Sequence, residues 1–169
     1  MIDIDYRDLL RLETLLSDLG RRFSDLTPFW NDFAVDLLPT KVREVFRTEG
    51  YGTWAALDPV YARVKAERYP GAGILRRTDA YFQAASEVDH PGNVFVATPM
   101  ALVFGVGGGY FEAVAGENYP ERHELGRGVA ERPVYALLAE SADFDAEISR
   151  LLDTWSADEV SEASKNADF

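Results

Sequence analysis

The sequence contains no cysteine and only two histidines among its 169 residues. Without cysteine the chain can form no disulfide bond, no thiolate metal site and no cysteine nucleophile. Basic residues are also scarce, since 17 of them face 29 acidic ones and the formal net charge is −12. This surplus argues against broad, nonspecific adhesion to DNA or to anionic lipid, because both are negatively charged.

Long apolar runs are missing as well. No stretch approaches the roughly 18 apolar residues that would span a bilayer, and residues 1–8 lack the basic start and apolar core of a signal peptide. We therefore expect no membrane partner and synthesis in the cytoplasm. The apolar content of 47% and the aromatic content of 12% are typical of a folded protein, and the length fits one domain.

The N-terminal half has helical periodicity. Leu9, Leu12, Leu16 and Leu19 recur at steps of three and four, which predicts an amphipathic helix over residues 6–24.

Two proline pairs predict where further helices begin. Thr27 followed by Pro28 indicates an N-cap and the first residue of a second helix, which Pro39 should kink or interrupt. Asp58 followed by Pro59 repeats this signature and predicts a third helix.

The middle of the chain changes to β periodicity. Residues 93–98 and 101–106 are rich in β-branched and aromatic residues and predict two strands, which could form one hairpin. Residues 74–88 fit either a helix or a strand, and residues 132–138 suggest another strand. Together these segments predict an α+β fold, with N-terminal helices, a small mainly antiparallel sheet and a C-terminal helix.

The C-terminal part returns to helical spacing from Phe144 to Trp155. From residue 156 onward the chain is small, polar and acidic, and residues 140–169 hold more than half of the net negative charge. We therefore interpret residues 1–155 as a single domain and residues 156–169 as an acidic, flexible, frayed tail.

The glycine-rich stretch from Gly105 to Gly109 is the first candidate for a phosphate-binding loop. A dinucleotide-binding fingerprint would need glycine at position 110, which is tyrosine, and no Gly-Lys-Ser/Thr ending is present. The stretch is therefore interpreted as a flexible turn after a strand.

The two histidines do not form a recognisable metal motif. His123 lies beside glutamates, but a zinc-protease motif would need a second histidine at position 127, which is arginine. A small cytoplasmic enzyme would instead need a polar pocket around His123 or Ser86. No Gly-x-Ser-x-Gly sequence surrounds Ser86 or another serine, so we expect no catalytic residue, no cofactor and no metal.

Three sequence blocks between residues 46 and 137 say more about function than the motifs considered so far. The first block runs from Phe46-Arg-Thr-Glu-Gly50 to Trp54-Ala-Ala-Leu57-Asp-Pro-Val-Tyr61 and Lys65. The second block is Ile74-Leu-Arg-Arg-Thr78-Asp-Ala-Tyr81. The third block is Tyr119-Pro-Glu-Arg-His123-Glu-Leu-Gly126, followed by Glu131-Arg132-Pro133. In this order they resemble the phage virion morphogenesis proteins, also called tail completion or neck proteins. The chain departs from the family pattern at Asp79, where glycine is usual, and at Pro120 and Glu131, where alanine is usual.

The resemblance implies a structural, non-enzymatic virion protein at the head-to-tail junction of a tailed bacteriophage. It implies a homo-oligomeric ring, six-fold or twelve-fold, that contacts other neck, connector and tail-tube proteins after assembly in the host cytoplasm. DNA would pass through the lumen without specific binding. The alternatives are a tail terminator that caps the tail tube, or an acidic host-interaction protein that mimics DNA.

The resemblance also implies roles for individual residues. Trp54 and Leu57 would bury against the helix that carries Tyr61, and Thr78 would cap or turn the chain. Arg132 would pair with a carboxylate at the sheet or subunit boundary. Basic residues would contact acidic faces of neighbouring subunits. The candidate contact or motif residues are Trp54, Tyr61, Lys65, Arg76, Arg77, Thr78, His123 and Arg132.

Overall fold

The computed structural model describes residues 6–167, so the expectations for residues 1–5 and 168–169 lie outside the described chain. Helix α1 (Tyr6–Phe23) confirms the first predicted helix. Its apolar residues keep the predicted spacing, but Leu9, Leu12 and Leu16 are exposed whereas Leu19 is partly buried. Only the C-terminal half of α1 therefore packs closely on the body of the protein.

A second helical region begins at Thr27. Helix α2 (Thr27–Phe29) has Pro28 in its first turn, as expected. Thr27 is not the N-cap, however, because it is already helical and Leu26 holds the cap position. The backbone N–H of Thr27 donates to Oδ1 of Asp25 at 2.8 Å, so an aspartate two residues upstream satisfies this donor.

Pro39 does not interrupt the helix that contains it. A π-helical turn (Trp30–Ala34) follows α2, and helix α3 (Val35–Arg47) then continues through Pro39. Proline removes one backbone donor and crowds the carbonyl four residues earlier, here that of Val35. The π-helical turn ends at Ala34, directly before Val35, so the change in helical pitch lies about one turn before the proline.

A left-handed turn ends α3. Four consecutive residues, Glu49 to Gly52, have φ between 50° and 79°, a region that few non-glycine residues adopt. Glycine is required at position 50 for a second reason, because a Cβ there would lie 2.2 Å from Cδ1 of Trp54. This turn sets the direction in which the chain leaves α3 and places Trp54 over the core.

Helix α4 (Pro59–Arg68) confirms the predicted cap and proline signature. Oδ1 of Asp58 accepts hydrogen bonds from the backbone N–H groups of Val60 (2.9 Å) and Tyr61 (3.1 Å). The next segment, which fitted either periodicity, contains the short helix α5 (Ala80–Ser86).

Strands β1 (Asn93–Thr98) and β2 (Ala101–Val106) form the predicted antiparallel hairpin, in which Phe95 pairs with Phe104. One face of this hairpin lies toward α5, and the other leaves Val96 and Val103 exposed. The predicted fold class is confirmed, since the described chain is mainly helical with a small antiparallel sheet and a C-terminal helix.

The glycine-rich stretch is not a loose turn. It ends strand β2 and begins helix α6 (Gly108–Ala115), with Gly107 at the N-cap. A side chain at position 108 would meet Nδ2 of Asn118 at 2.5 Å, so glycine lets the start of α6 approach the next helix closely.

The strand predicted for residues 132–138 is also wrong. After helix α7 (Tyr119–Glu124), the chain forms helix α8 (Tyr135–Ala139). The carboxylate of Glu124 accepts hydrogen bonds from the backbone N–H groups of Val134, Tyr135 and Ala136 at 2.8–2.9 Å. A cap that comes from a residue so far upstream leaves no local sequence signal.

Helix α9 (Ala142–Asn166) extends well beyond the predicted end at residue 155. The expected frayed tail is therefore helical through residue 166. Glu159 forms an ion pair with Arg22 of α1, and Nδ2 of Asn166 lies 3.4 Å from Oδ2 of Asp18. Ala163, which lies between these two contacts along α9, is fully buried. A small side chain there permits close helix packing, which composition alone does not reveal.

The main core lies between α3, α5, α8 and the hairpin. Phe46 is at its centre, and its ring packs edge-on against those of Trp54, Tyr81 and Phe82 at centroid distances of 5.3–5.6 Å. Edge-to-face contacts of this kind add to the stabilisation that burial provides. Among residues 6–167, no helix has both the length and the apolar character needed to cross a membrane.

Replacing Ala163 by leucine should lower the free energy of unfolding by about 1–3 kcal/mol, because the larger side chain enters a closely packed helix contact. Urea denaturation measures this change. The control, Ala157→Leu, places the same side chain at an exposed position of α9 and should change stability by no more than about 0.5 kcal/mol. Equal stability of both variants would contradict a packed C-terminal end.

Candidate functional site

Six of the eight candidate residues meet at one cavity of about 640 Å³. Its walls come from α4, the segment before α5, α6, α7 and the segment before α8, so all three blocks of the resemblance contribute. The six candidates are Tyr61, Lys65, Arg77, Thr78, His123 and Arg132. Trp54 and Arg76 do not line it.

Lys65 is buried at the wall of this cavity, with only 5% of its surface exposed. Its Nζ donates a hydrogen bond of 2.5 Å to the carbonyl of Gly73. Burial lowers the pKa of Lys65, while the nearby negative charge of Glu49 acts in the opposite direction. Oε1 of Glu49 itself accepts from the backbone N–H of Ile74 at 3.0 Å. Lys65 therefore lies inside the protein and not among solvated charges on a helix face.

Arg132 is the second buried cation, with 6% of its surface exposed. Its Nε and Nη2 donate to the carbonyl of Ala55 at 3.0 and 2.9 Å, and Nη2 also lies 3.4 Å from the carbonyl of Ala56. Within the described chain its hydrogen-bond partners are therefore backbone oxygens, and a carboxylate across a subunit boundary stays a prediction. Burial lowers the pKa of Arg132.

Trp54 joins the same two segments by a hydrogen bond in the opposite direction. Its Nε1 donates to the carbonyl of Pro133 at 2.8 Å, and its ring packs against Phe46. We call residues 54–56 and 132–133, joined by these hydrogen bonds, the clasp. The expectation that Trp54 buries is confirmed, but its ring packs on Phe46 of α3, while Leu57 lines the cavity beside Tyr61.

Adjacent arginines have different environments. Arg76 forms an ion pair with Asp79 (Nε to Oδ1, 2.8 Å) and its guanidinium lies 4.1 Å from the ring centroid of Phe82. Arg77 is exposed, lines the cavity, and makes no hydrogen bond or ion pair with the described residues. Thr78 does not cap α5, because Asp79 occupies the N-cap position without a side-chain hydrogen bond.

His123 lies at the cavity wall on α7. Its Nδ1 is 3.2 Å from the carbonyl of Ala130, and its own carbonyl accepts from the backbone N–H of Arg132 at 2.8 Å. Burial lowers the pKa of His123. Ser86, the other residue named for an enzymatic alternative, is buried away from this cavity and donates to the carbonyl of Phe82 at 2.7 Å.

Sequence reasoning missed four contributors from the region around α6, namely Tyr110, Val114, Ala115 and Glu117. Tyr110 lines the cavity, although its segment was interpreted as part of a loop, and Glu117 lies at the wall in an ion pair with Arg122. The run after Gly109 contains no proline and could have indicated a helix. Glu49 was missed because the left-handed turn that positions it has no distinctive sequence signal.

The cavity is more positive than the protein as a whole. Lys65, Arg77 and Arg132 supply three cationic groups, whereas Glu117 is the carboxylate at the wall and is already paired. Apolar and aromatic side chains form the rest of the wall. Within the described residues, no group of three or more histidine, aspartate or glutamate side chains is placed to hold a metal ion.

Because the pKa of His123 is lowered, we expect the stability of the protein to depend on pH. Because its folded-state pKa lies below the usual 6.5, the unfolded chain takes up a proton more readily as the pH falls. The free energy of unfolding should therefore decrease between about pH 7.5 and pH 5.5, and His123→Gln should flatten this slope. Chemical denaturation across this range measures it. A His123→Gln variant with an unchanged slope would refute the assignment.

Comparisons of the chain with protein-family models, with curated proteins and with solved structures find no match.

Proposed function

We propose that this protein is a structural, non-enzymatic subunit at the head-to-tail junction of a tailed bacteriophage. It forms a ring of its own copies that completes the tail or neck and lets DNA pass. The observation that carries the proposal is the way in which the three blocks of the resemblance join in the fold. Residues of the first and third blocks exchange hydrogen bonds in the clasp, across 77 and 79 positions of sequence.

The second block is tied to the first in the same manner. Lys65 donates to the carbonyl of Gly73, and Glu49 accepts from the N–H of Ile74. Four of the eight candidate residues, Trp54, Lys65, His123 and Arg132, thus contact backbone carbonyls of distant or looped segments, which is the role expected of a scaffold. This supports a structural role, since the residue pattern that the chain shares with the family fixes the path of the backbone.

A departure from the family pattern supports the same proposal. Asp79 stands where glycine is usual, and its φ is 55°. Glycine adopts this left-handed conformation without steric cost, and aspartate tolerates it better than most residues. The position therefore has the backbone geometry that a family glycine would supply.

The exposed half of α1 provides a surface for assembly. Leu9, Leu12, Leu16, Leu19 and Phe23 alternate at steps of three and four along one face, which we call the α1 seam. At its C-terminal end, Phe23 packs against Trp155 of α9 with ring centroids 5.7 Å apart. Such spacing is typical of helices that pack side by side.

The other end of the seam has no partner within the described chain. Asp18 lies opposite Asn166, near the described end of α9, so the earlier turns of α1 project beyond α9. Leu16 is 60% exposed there. Because the apolar face continues directly from a packed helix contact, we assign its free half to a different face of a neighbouring copy, since a ring requires head-to-tail contacts between unlike surfaces.

The proposed place in the virion is tested by electron microscopy of particles made without this protein. We expect full heads and finished tails that remain separate, because the junction between them is incomplete. Supplying the intact chain from a plasmid should restore joined particles. Normal virions in the absence of the protein would refute the proposal.

Self-association is tested by sedimentation at low and high salt. Association should strengthen at higher salt, because salt screens the repulsion between chains of charge −12 while the apolar seam remains. Leu16→Glu should weaken association by about tenfold or more, since it buries a charge in the seam.

Thr14→Glu serves as the matched control, because it adds the same charge at an exposed α1 position outside the seam. It should associate like the wild type. A chain that stays monomeric at both salt concentrations, even with purified tails present, would contradict the assembly proposal.

A further inference from the structure

We infer that the cavity binds a carboxylate carried by a peptide segment of a partner protein, with an apolar side chain next to the acidic one. The inference concerns the chemistry of the cavity and does not require the head-to-tail role. It starts from its two buried cations. Lys65 and Arg132 are both more than nine-tenths buried, and neither has a carboxylate within ion-pair distance among the described residues.

Both cations keep unused donors. The ammonium group of Lys65 has three N–H bonds, of which one is used for Gly73. The guanidinium of Arg132 uses Nε and Nη2 for the carbonyls of Ala55 and Ala56, and Nη1 donates to none of the described residues. Burying a cation is costly unless an opposite charge or hydrogen bonds compensate. An anion at the cavity wall would supply what the backbone carbonyls leave incomplete.

Arg77, in the segment before α5, adds a third cationic group at the cavity wall. It is exposed at the cavity and makes no hydrogen bond or ion pair with the described residues, so its guanidinium can meet a ligand at the entrance. Glu49 lies behind the wall and offsets part of the charge of Lys65 and Arg132, while Glu117 at the wall is paired with Arg122. The balance at the wall remains positive in a protein of charge −12.

The remaining walls select a ligand that is more than an isolated anion. Leu57, Leu75, Val114 and the ring of Tyr61 give the cavity an apolar surface. A volume of about 640 Å³ is within the range of pockets that enclose small ligands or a few side chains. A duplex nucleic acid does not fit this description, because it needs a row of cations along an open surface. An acidic residue beside an apolar one matches both parts of the wall.

The experiment is an NMR titration of the full chain with a blocked tetrapeptide of sequence Ala-Glu-Leu-Ala. The backbone signals of Tyr61, Arg77, Tyr119 and His123 should shift with the peptide concentration. The blocked peptide Ala-Gln-Leu-Ala has the same shape without the charge and should bind about tenfold more weakly. Arg77→Gln should weaken binding of the acidic peptide by a similar factor without affecting the buried cations.

Arg150→Gln is the matched control, because it removes the same charge from an exposed position of α9 that does not line the cavity. Its affinity for the acidic peptide should equal that of the wild type. Equal binding of the two peptides, or no shift up to millimolar peptide, would overturn the inference. So would tighter binding of inorganic phosphate or of a single-stranded oligonucleotide at the same signals, since it would assign the cavity to phosphate. These outcomes are separate from particle morphology, on which the head-to-tail proposal depends.

Discussion

The clasp holds together the parts of the chain on which the rest of the structure depends. The guanidinium of Arg132 donates to the carbonyl of Ala55, and the indole N–H of Trp54 donates to the carbonyl of Pro133. Each of the two segments therefore supplies a donor to a backbone carbonyl of the other. These carbonyls belong to segments without regular secondary structure, so no helix or strand supplies a partner for them. The clasp therefore fixes the path from α3 to α4 relative to α7 and α8, and the cavity walls follow from that path.

The cavity illustrates how backbone satisfaction and ligand recognition can share the same side chains. Lys65 and Arg132 hold loops by donating to carbonyls, which are dipoles without full negative charge. Glu49 adds negative charge near both cations without forming an ion pair with either, so each cation remains only partly compensated. A carboxylate in place of those carbonyls would have neutralised the same positions and removed their capacity to attract a further anion.

Local sequence signals predicted the elements whose stabilising contacts are local. Helix α1, the Asp58 cap and the hairpin all depend on neighbouring residues, and each was predicted at nearly the observed bounds. Helix α8 was missed because Glu124 caps it from a distance, and the end of α9 was missed because Ala163 packs through its small size. The resemblance located most of the cavity residues, whereas Tyr110 and Glu117 lie outside its three blocks.

The pairing of α1 with α9 has a consequence for how the chain folds during synthesis. α1 is made first, but the helix that covers its C-terminal half comprises 25 residues near the other end of the sequence. Translation at about 5–20 residues per second leaves Phe23 and Leu19 uncovered for several seconds. During that interval the whole apolar stripe of α1 is open to chaperones or to nascent neighbours on the same message. Completion of α9 then covers the C-terminal half of that stripe and leaves its N-terminal half exposed.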